Sequence, residues 1–569
     1  SPFTPSHHHP MTTTHTCRTC LEPFSIDDAS IAFYAKVSPV IGGKTYDIPL
    51  PTLCPECRAA RRLSFRNERS LHHRTCDKTG TSIISFYPPQ SPYKVYEHDA
   101  WWGDDWDSLS YGRDIDFSRP FFEQFAELQR QVPRIAMVTT QLENCLFSPY
   151  SVQCKRCYLC ISCVVGEDLY YCYQTNASRN CVDCSLCTRC ELCYDCVHCA
   201  GLYSSVFCKN CDNGTDLFFC EDCRGCTNCI GCKNLSNKKN YILNAPASQE
   251  EVTALRLSLE KHTAREEWMK KAITFFSTLP TRSSHMTNCE QCTGDFLRDC
   301  RDCRECFDVV GLEGCAYLFP GPKRDVLCED CNYTIESELI YDSVSAVDGY
   351  DCKWILHSWN MKHAMYTDEC FGSDHLFGCI GLKKKSYCIL NKQYGKEEYE
   401  SLVSRLIHHM KKTGEWGEFF PISLSPFAYN ESVAYEHSPL TAEAATTRGY
   451  RWSTYEAPKP DVKKIITASS LPQDISQIPD DVLNWAITCE VSGKPFRIIK
   501  QELDFYRSQR IPLPRKHPEQ RYKERTIRRN PRKLTDRQCS KCGVAIKTTS
   551  VAEKQENVYC EACFVDAIE

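Results

Sequence analysis

Between Asn180 and Cys199 the chain reads NCVDCSLCTRCELCYDCVHC, a cysteine at every third position seven times running. That beat is the strongest constraint in the sequence. Metal-binding C-x2-C pairs interrupt such a run with a longer gap, so that four sulfurs converge on one ion; here the beat continues. From Cys145 to Cys232 there are twenty cysteines, and every gap between neighbours is three or nine residues. Where the beat lacks a cysteine it usually carries another small or apolar residue, as at Ser148, Gly166, Leu169, Ser178, Leu202, Ser205 and Gly214. In rows of eighteen from Cys145 the columns align, one of them holding Cys154, Cys172, Cys190, Cys208 and Cys226. The pattern predicts a β-solenoid of eighteen-residue units with two half-turns of nine, each coil about 4.8 Å above the last. A column then becomes a ladder of small side chains inside a narrow core.

A second copy follows at an offset of 147. It maps Cys145 to Cys292, Cys181 to Cys328, Cys184 to Cys331, Cys223 to Cys370 and Cys232 to Cys379, and lays CKNLSNKKNYILN over CIGLKKKSYCILN. A helical pattern follows each block. Ser248 and Glu251 form a capping box ahead of Val252, Leu255 and Leu259, and Glu250, Glu251 and Leu255 map onto Glu397, Glu398 and Leu402. Such helices are expected to cap open solenoid ends, which would otherwise be aggregation edges. The second copy also tests the thiols. Cys190, Cys193, Cys196 and Cys199 become Ser337, Ile340, Ser343 and Ala346, an exchange that suits a core of small hydrophobes and not a metal cluster. Core filling is the reading; a thiol-rich metal store or electron-transfer cluster is the alternative, resting on the dense first copy.

Composition sets the compartment. With 42 cysteines in 569 residues, 42% hydrophobic and 25% charged, the chain is expected to bury real cores in a reducing environment, its thiols free or metal-bound. No apolar run approaches the roughly 18 residues of a membrane span, and the opening SPFTPSHHHPMTTTHT lacks the apolar core of a secretory signal. A cytoplasmic location is the expectation.

The two ends carry stronger chemistry. Cys17-x2-Cys20 is followed by Cys54-x2-Cys57, and Cys539-x2-Cys542 by Cys560-x2-Cys563. Each knuckle offers two thiolates from one tight turn, and four thiolates close the shell of a tetrahedral Zn²⁺, which favours a structural role over catalysis. Two zincs per chain are expected. The ends are also copies of each other. IPLPTLCPECRAARRLSFRNERSLHHRTC (Ile48 to Cys76) lies over IPLPRKHPEQRYKERTIRRNPRKLTDRQC (Ile511 to Cys539) at an offset of 463, and CRTCLEPFSI over CEVSGKPFRI at 472. Cys54 and Cys57 then meet His517 and Gln520, whereas Cys542, Cys560 and Cys563 meet Thr79, Glu97 and Ala100. Each end reads as a tandem of two ribbons, one metallated and one metal-free.

An arginine stripe persists through both tandems. Arg58, Arg62, Arg66 and Arg69 fall on Arg521, Arg525, Arg529 and Arg532, at a spacing that puts each set on one helix face. Two readings stand: a phosphate-backbone grip on RNA or DNA, or salt bridges to the acidic remainder of a chain whose net charge is −5.

These motifs resemble a known pattern. TCRTCLEPFSIDDASIAFYAKV with LCPECRAARR is similar to the treble-clef zinc-ribbon domains of bacterial genomes, and CSKCGVAIKTTS with VYCEACF to their short partner ribbon. With RNERSL, YGRDIDFSRPFFEQF and YCILNKQYGKEEY, the whole chain resembles uncharacterised cysteine-rich zinc-ribbon proteins of uncultivated small-genome bacteria. The resemblance implies the metal ligands Cys17, Cys20, Cys54, Cys57, Cys539, Cys542, Cys560 and Cys563, and implies no activity. His517 and Gln520 depart from the ribbon pattern and count against a third zinc.

The expected fold is mainly β, two tandem Cys-rich β-solenoid blocks with capping helices between small treble-clef-like zinc-ribbon modules. The boundaries read as a tail (1–16), an N-terminal tandem ribbon (17–110), a helical connector covering the near end of the first solenoid (111–142), solenoid one (143–247), a helix (248–285), solenoid two (286–394), a helix (395–413), a partly ordered linker (414–484) and a C-terminal tandem ribbon (485–569). Trp101, Trp102 and Trp106 read as aromatic anchors, with a sugar or base platform as the alternative. The function that follows is a non-enzymatic zinc-binding scaffold gripping nucleic acid or a protein partner. The alternatives are a thiol-rich metal-storage or redox protein, and a solenoid enzyme acting on a polymer through Asp299, Asp302, Glu305 and Asp308 with Arg298, Arg301 and Arg304.

Overall fold

A computed structural model describes residues 13–319, 328–330, 332, 343–344 and 362–568. The counterparts Cys331, Ser337, Ile340 and Ala346 lie outside the described residues. The chain forms mixed small sheets with 27% helix and 25% strand, so it is not mainly β. It divides into two compact units, each built of three stretches: residues 1–137, 284–454 and 532–534 make one, and 138–283, 455–531 and 535–569 the other.

The cysteine-rich block of the second unit is a parallel ladder. Bridges run from Thr140↔Val152 to Arg224↔Ser236 at a constant offset of twelve residues. Eighteen is thus the wrong repeat. A beat of three divides twelve and eighteen equally, so the cysteine spacing could not choose between them. The true period shows in the side chains on the outside: Glu143 pairs with Lys155, Arg156 with Asp168, Arg179 with Glu191, and Lys209 and Lys233 both with Glu221.

Each triplet has one conformation. Its first residue makes the bridge, its second is left-handed, and its third points inward. Val152 N–H donates to Cys163 C=O at 2.9 Å, and Gln153 N–H to Thr140 C=O at 3.0 Å, a pattern that recurs along the block. The middle residues sit near φ +50°, for example Asp183 (57°), Asn210 (55°) and Gly225 (59°). Asn, Asp and Gly tolerate that region best, and they fill many of these corners. The inward thiols are buried among themselves, each donating to nearby carbonyls, as Cys184 does to Val182 and Cys193, both at 3.6 Å. Where serine replaces cysteine it makes the same local bond, Ser205 Oγ to Tyr203 C=O at 3.0 Å.

The 147 offset holds for the last four strands of each block and the helix that follows. Strands Thr215–Phe218, Thr227–Ile230, Lys239–Ile242 and Ala245–Pro246 in one unit match Lys362–Met365, Asp374–Phe377, Ser386–Ile389 and Lys392–Gln393 in the other, with identical pairing. Each set ends in a helix. Gln249–Ser258 starts with the expected capping box, and its Val252 and the following Leu259 are buried. Lys396–Thr413 buries Tyr399, Val403, Leu406, Ile407 and Met410.

Two expectations need correction. The connector helix Phe121–Gln131 covers the second block, not the first: Phe121 packs on Phe377 at 5.3 Å between ring centroids, and a left-handed Gly378 leaves the room for it. The stretch expected to be a linker is packed, with Tyr429, Val433, Ala434 and Ala445 buried together with Leu63. Its alanines and aromatics serve as core. Trp101 is wholly buried as an anchor, and Lys383 Nζ lies 4.8 and 4.7 Å from the Trp101 and Trp106 rings, which occupies the faces a sugar would use.

Candidate metal centres

The two cysteine quartets converge. In each, the ligand sulfurs of Cys17, Cys20, Cys54 and Cys57, or of Cys539, Cys542, Cys560 and Cys563, lie within 4.8 Å of one another, as one shared metal ion requires. The local folding explains why. Cys17 opens a tight turn in which its N–H donates to Glu22 C=O (2.9 Å) and Leu21 N–H donates back to Cys17 C=O (3.0 Å). Cys54 stands at the start of helix Pro55–Leu63, Arg58 N–H donating to Cys54 C=O at 2.9 Å. At the other end Cys539 N–H bonds Val544 C=O (2.8 Å), Gly543 N–H bonds Cys539 C=O (2.9 Å), and Phe564 N–H bonds Cys560 C=O (2.9 Å) as helix Glu561–Ile568 begins. Each site thus takes two sulfurs from a turn and two from a helix start, where aligned N–H groups favour thiolate.

The electrostatics agree. A hydrogen bond from Cys57 holds the Cys54 thiol down at about 5, with backbone N–H and Cys17 adding to the effect, while the same contact pushes Cys57 up. Burial works against ionising Cys539, yet the backbone around Cys542, Cys560 and Lys541 brings it down to about 6.

The same turn occurs twice more without a quartet. Cys76 N–H bonds Thr81 C=O (2.8 Å) and Gly80 N–H bonds Cys76 C=O (3.0 Å); Cys489 N–H bonds Lys494 C=O (2.9 Å) and Gly493 N–H bonds Cys489 C=O (3.0 Å). Helices begin at the matching places, Trp101 N–H on Glu97 C=O (2.9 Å) and Arg521 N–H on His517 C=O (3.0 Å). In these copies the leading thiol keeps a backbone donor, Glu97 N–H reaching Cys76 Sγ at 3.3 Å and Ser492 N–H reaching Cys489 Sγ at 3.4 Å, as Cys560 N–H reaches Cys539 Sγ at 3.2 Å in the C-terminal quartet. The same backbone hydrogen bonds hold all four turns, and only two of them add the sulfurs of a quartet.

The arginine stripe is not a face for phosphate. Arg58, Arg62 and Arg66 are 2%, 0% and 3% exposed, and Arg521 and Arg525 are 7% and 2%. Arg58 and Arg62 share Asp330, at 2.7 and 3.5 Å. Arg521 and Arg525 share Asp183, the latter at 2.9 Å. Arg66 pairs with Glu68 at 2.7 Å, Arg69 with Glu436 at 3.3 Å and Arg532 with Asp308 at 2.6 Å, and Arg529 is half-buried. The tentative nucleic-acid site is corrected accordingly: burial removes its key members from solvent, and carboxylates already hold them. Both acids that receive a pair were missed in the sequence, although Asp183 and Asp330 are themselves related by the 147 offset. Two members of the cluster considered for catalysis join the same kind of contact, Asp308 through Arg532 and Arg304 through Glu329 at 2.7 Å.

A third group was also missed. His363, Asp374 and His375 bring their ligand atoms within 4.8 Å of one another, and no other such group accompanies the two quartets among the described residues. No helix among the described residues is long and apolar enough to cross a membrane. No protein-family model, curated protein or solved structure matches the chain.

Proposed function

We propose that the chain is a non-enzymatic scaffold whose two four-cysteine sites hold structural Zn²⁺ in treble-clef-like ribbons, each ribbon tandem clamped to a four-sided β-solenoid. The observation that carries this reading is the pair of quartets, each closed by one turn and one helix start. Four sulfurs around one point leave no position for substrate. The solenoid reading is supported by parallel bridges at an offset of twelve with a left-handed corner every third residue, hence four corners per coil. Buried thiols bonded to carbonyls favour a core over a metal store.

Elemental analysis after dialysis against a weak chelator tests the proposal. Two zincs per chain should remain, and Cys17→Ser and Cys539→Ser should each remove one and lower the melting temperature. Cys190→Ser should keep both zincs and most of the stability, because a serine at a ladder position finds the carbonyl that Ser205 finds. Six or more firmly held metals, or equal loss of folding in Cys190→Ser and Cys539→Ser, would overturn it.

A further inference from the structure

From the adjacent strands Lys362–Met365 and Asp374–Phe377, we infer that His363, Asp374 and His375 form a third metal site, open where the quartets are closed, for a divalent transition ion. Lys362 pairs with Asp374 in parallel register, which sets His363 directly beside His375 on the neighbouring coil. Both histidines occupy left-handed corners, φ 45° and 53°, and their ring centroids are 4.8 Å apart. Asp374 Oδ1 stands 3.0 Å from His375 Nδ1. Both atoms are out of contact with solvent and neither has a well-aligned hydrogen bond. Two ligand atoms each about 2.1 Å from one ion, at right angles, lie about 3 Å apart, so an ion would satisfy both.

The surroundings favour ligation over a plain ion pair. His375 is backed by the Tyr387 ring, stacked at 4.8 Å, and that ring by Tyr399 at 5.7 Å, which fixes the imidazole plane. The Tyr399 hydroxyl is buried with no hydrogen-bond partner, a donor placed in the same aromatic stack. The first block supplies an internal control. Its counterparts of Asp374, His375 and Tyr387 are Thr227, Asn228 and Asn240, and there Asn228 simply donates to Asn240 at 2.7 Å. The corner therefore needs no histidine to fold. Two imidazoles and one carboxylate suit Zn²⁺, Co²⁺, Ni²⁺ or Fe²⁺ and leave coordination positions for water or an exchangeable anion. This is a different chemistry from the closed sulfur shells, and it stands whether or not those shells hold zinc.

The test titrates Co²⁺ into the full chain, dialysed against a weak chelator until only the two zincs of the quartets remain, with His7, His8 and His9 replaced by alanine so that the tail contributes nothing. One equivalent should bind with ligand-field absorption but without a thiolate-to-cobalt charge-transfer band. His375→Asn, which installs the residue of the first block, and Asp374→Asn should each weaken binding by at least about 10- to 100-fold while the metal-free melting temperature stays put. Failure to bind one equivalent, a charge-transfer band from sulfur, or unchanged affinity in both variants would overturn the site. Zinc counts at the quartets are read separately, so failure here and failure of the scaffold reading are distinguishable.

Discussion

At the scale of single residues, the ladder core is a matter of size. A Cβ on Gly214 would stand 2.4 Å from Leu217 Cδ1 and 3.2 Å from Leu202 Cδ2, and a Cβ on Gly166 would stand 2.5 Å from Leu169 Cδ1. Glycine and leucine three residues apart thus share the volume that two cysteines fill elsewhere. Gly214→Cys should overpack the core and cost about 1–3 kcal/mol, and Leu217→Cys should leave a void. Because each change corrects the other, the double variant should recover about 1–2 kcal/mol relative to the sum, as read by denaturant unfolding; simple additivity would refute shared volume. This size rule was legible in the sequence, since Ser, Gly and Leu stood at the cysteine beat. The repeat length was not, because side chains facing inward repeat with the triplet, whereas those facing outward repeat every twelve residues, as in the pair Lys155 with Glu143 and the apolar series Tyr170, Val182, Tyr194, Val206, Phe218 and Ile230.

Among elements, the two basic helices are held by one device used twice. Helix Pro55–Leu63 puts Arg58 and Arg62 on Asp330, and helix Pro518–Arg528 puts Arg521 and Arg525 on Asp183. Offsets of 463 between the helices and 147 between the acids make the pairings equivalent. The stripe therefore serves docking, which explains its persistence beside cysteine sets that have diverged. Asp183→Asn leaves two buried guanidinium groups short of a charge partner and should cost about 3–5 kcal/mol. Asp195→Asn, at a half-buried acid that pairs with Arg528 at 2.8 Å, should cost clearly less. Thermal melts of the two variants check the order, and equal losses would refute it. The sequence showed a helical stripe of arginines but not its exposure. Charge alone cannot distinguish a solvated face from one matched by acids some three hundred residues away.

For the whole molecule, the stretches that complete each unit are far apart in the chain. Arg62 meets Asn332 across 270 residues, and Arg521 meets Asp183 across 338. Copy relations were readable as offsets, but which copy of an end would join which block was not, because both acids look alike from the sequence. A chain ending at residue 283 keeps Cys17, Cys20, Cys54 and Cys57 yet lacks Asp330. Limited proteolysis should therefore cut its first 137 residues readily, while the full chain resists; equal resistance would argue against the clamp. The same arrangement constrains how the protein is made. On the ribosome, Arg58 and Arg62 emerge long before Asp330 is translated, and Asp183 waits 338 residues for Arg521. Nascent chains would thus carry unmatched charges destined for burial across several hundred residues of elongation, and a metal ion captured early by the first quartet would order that end before its seat exists.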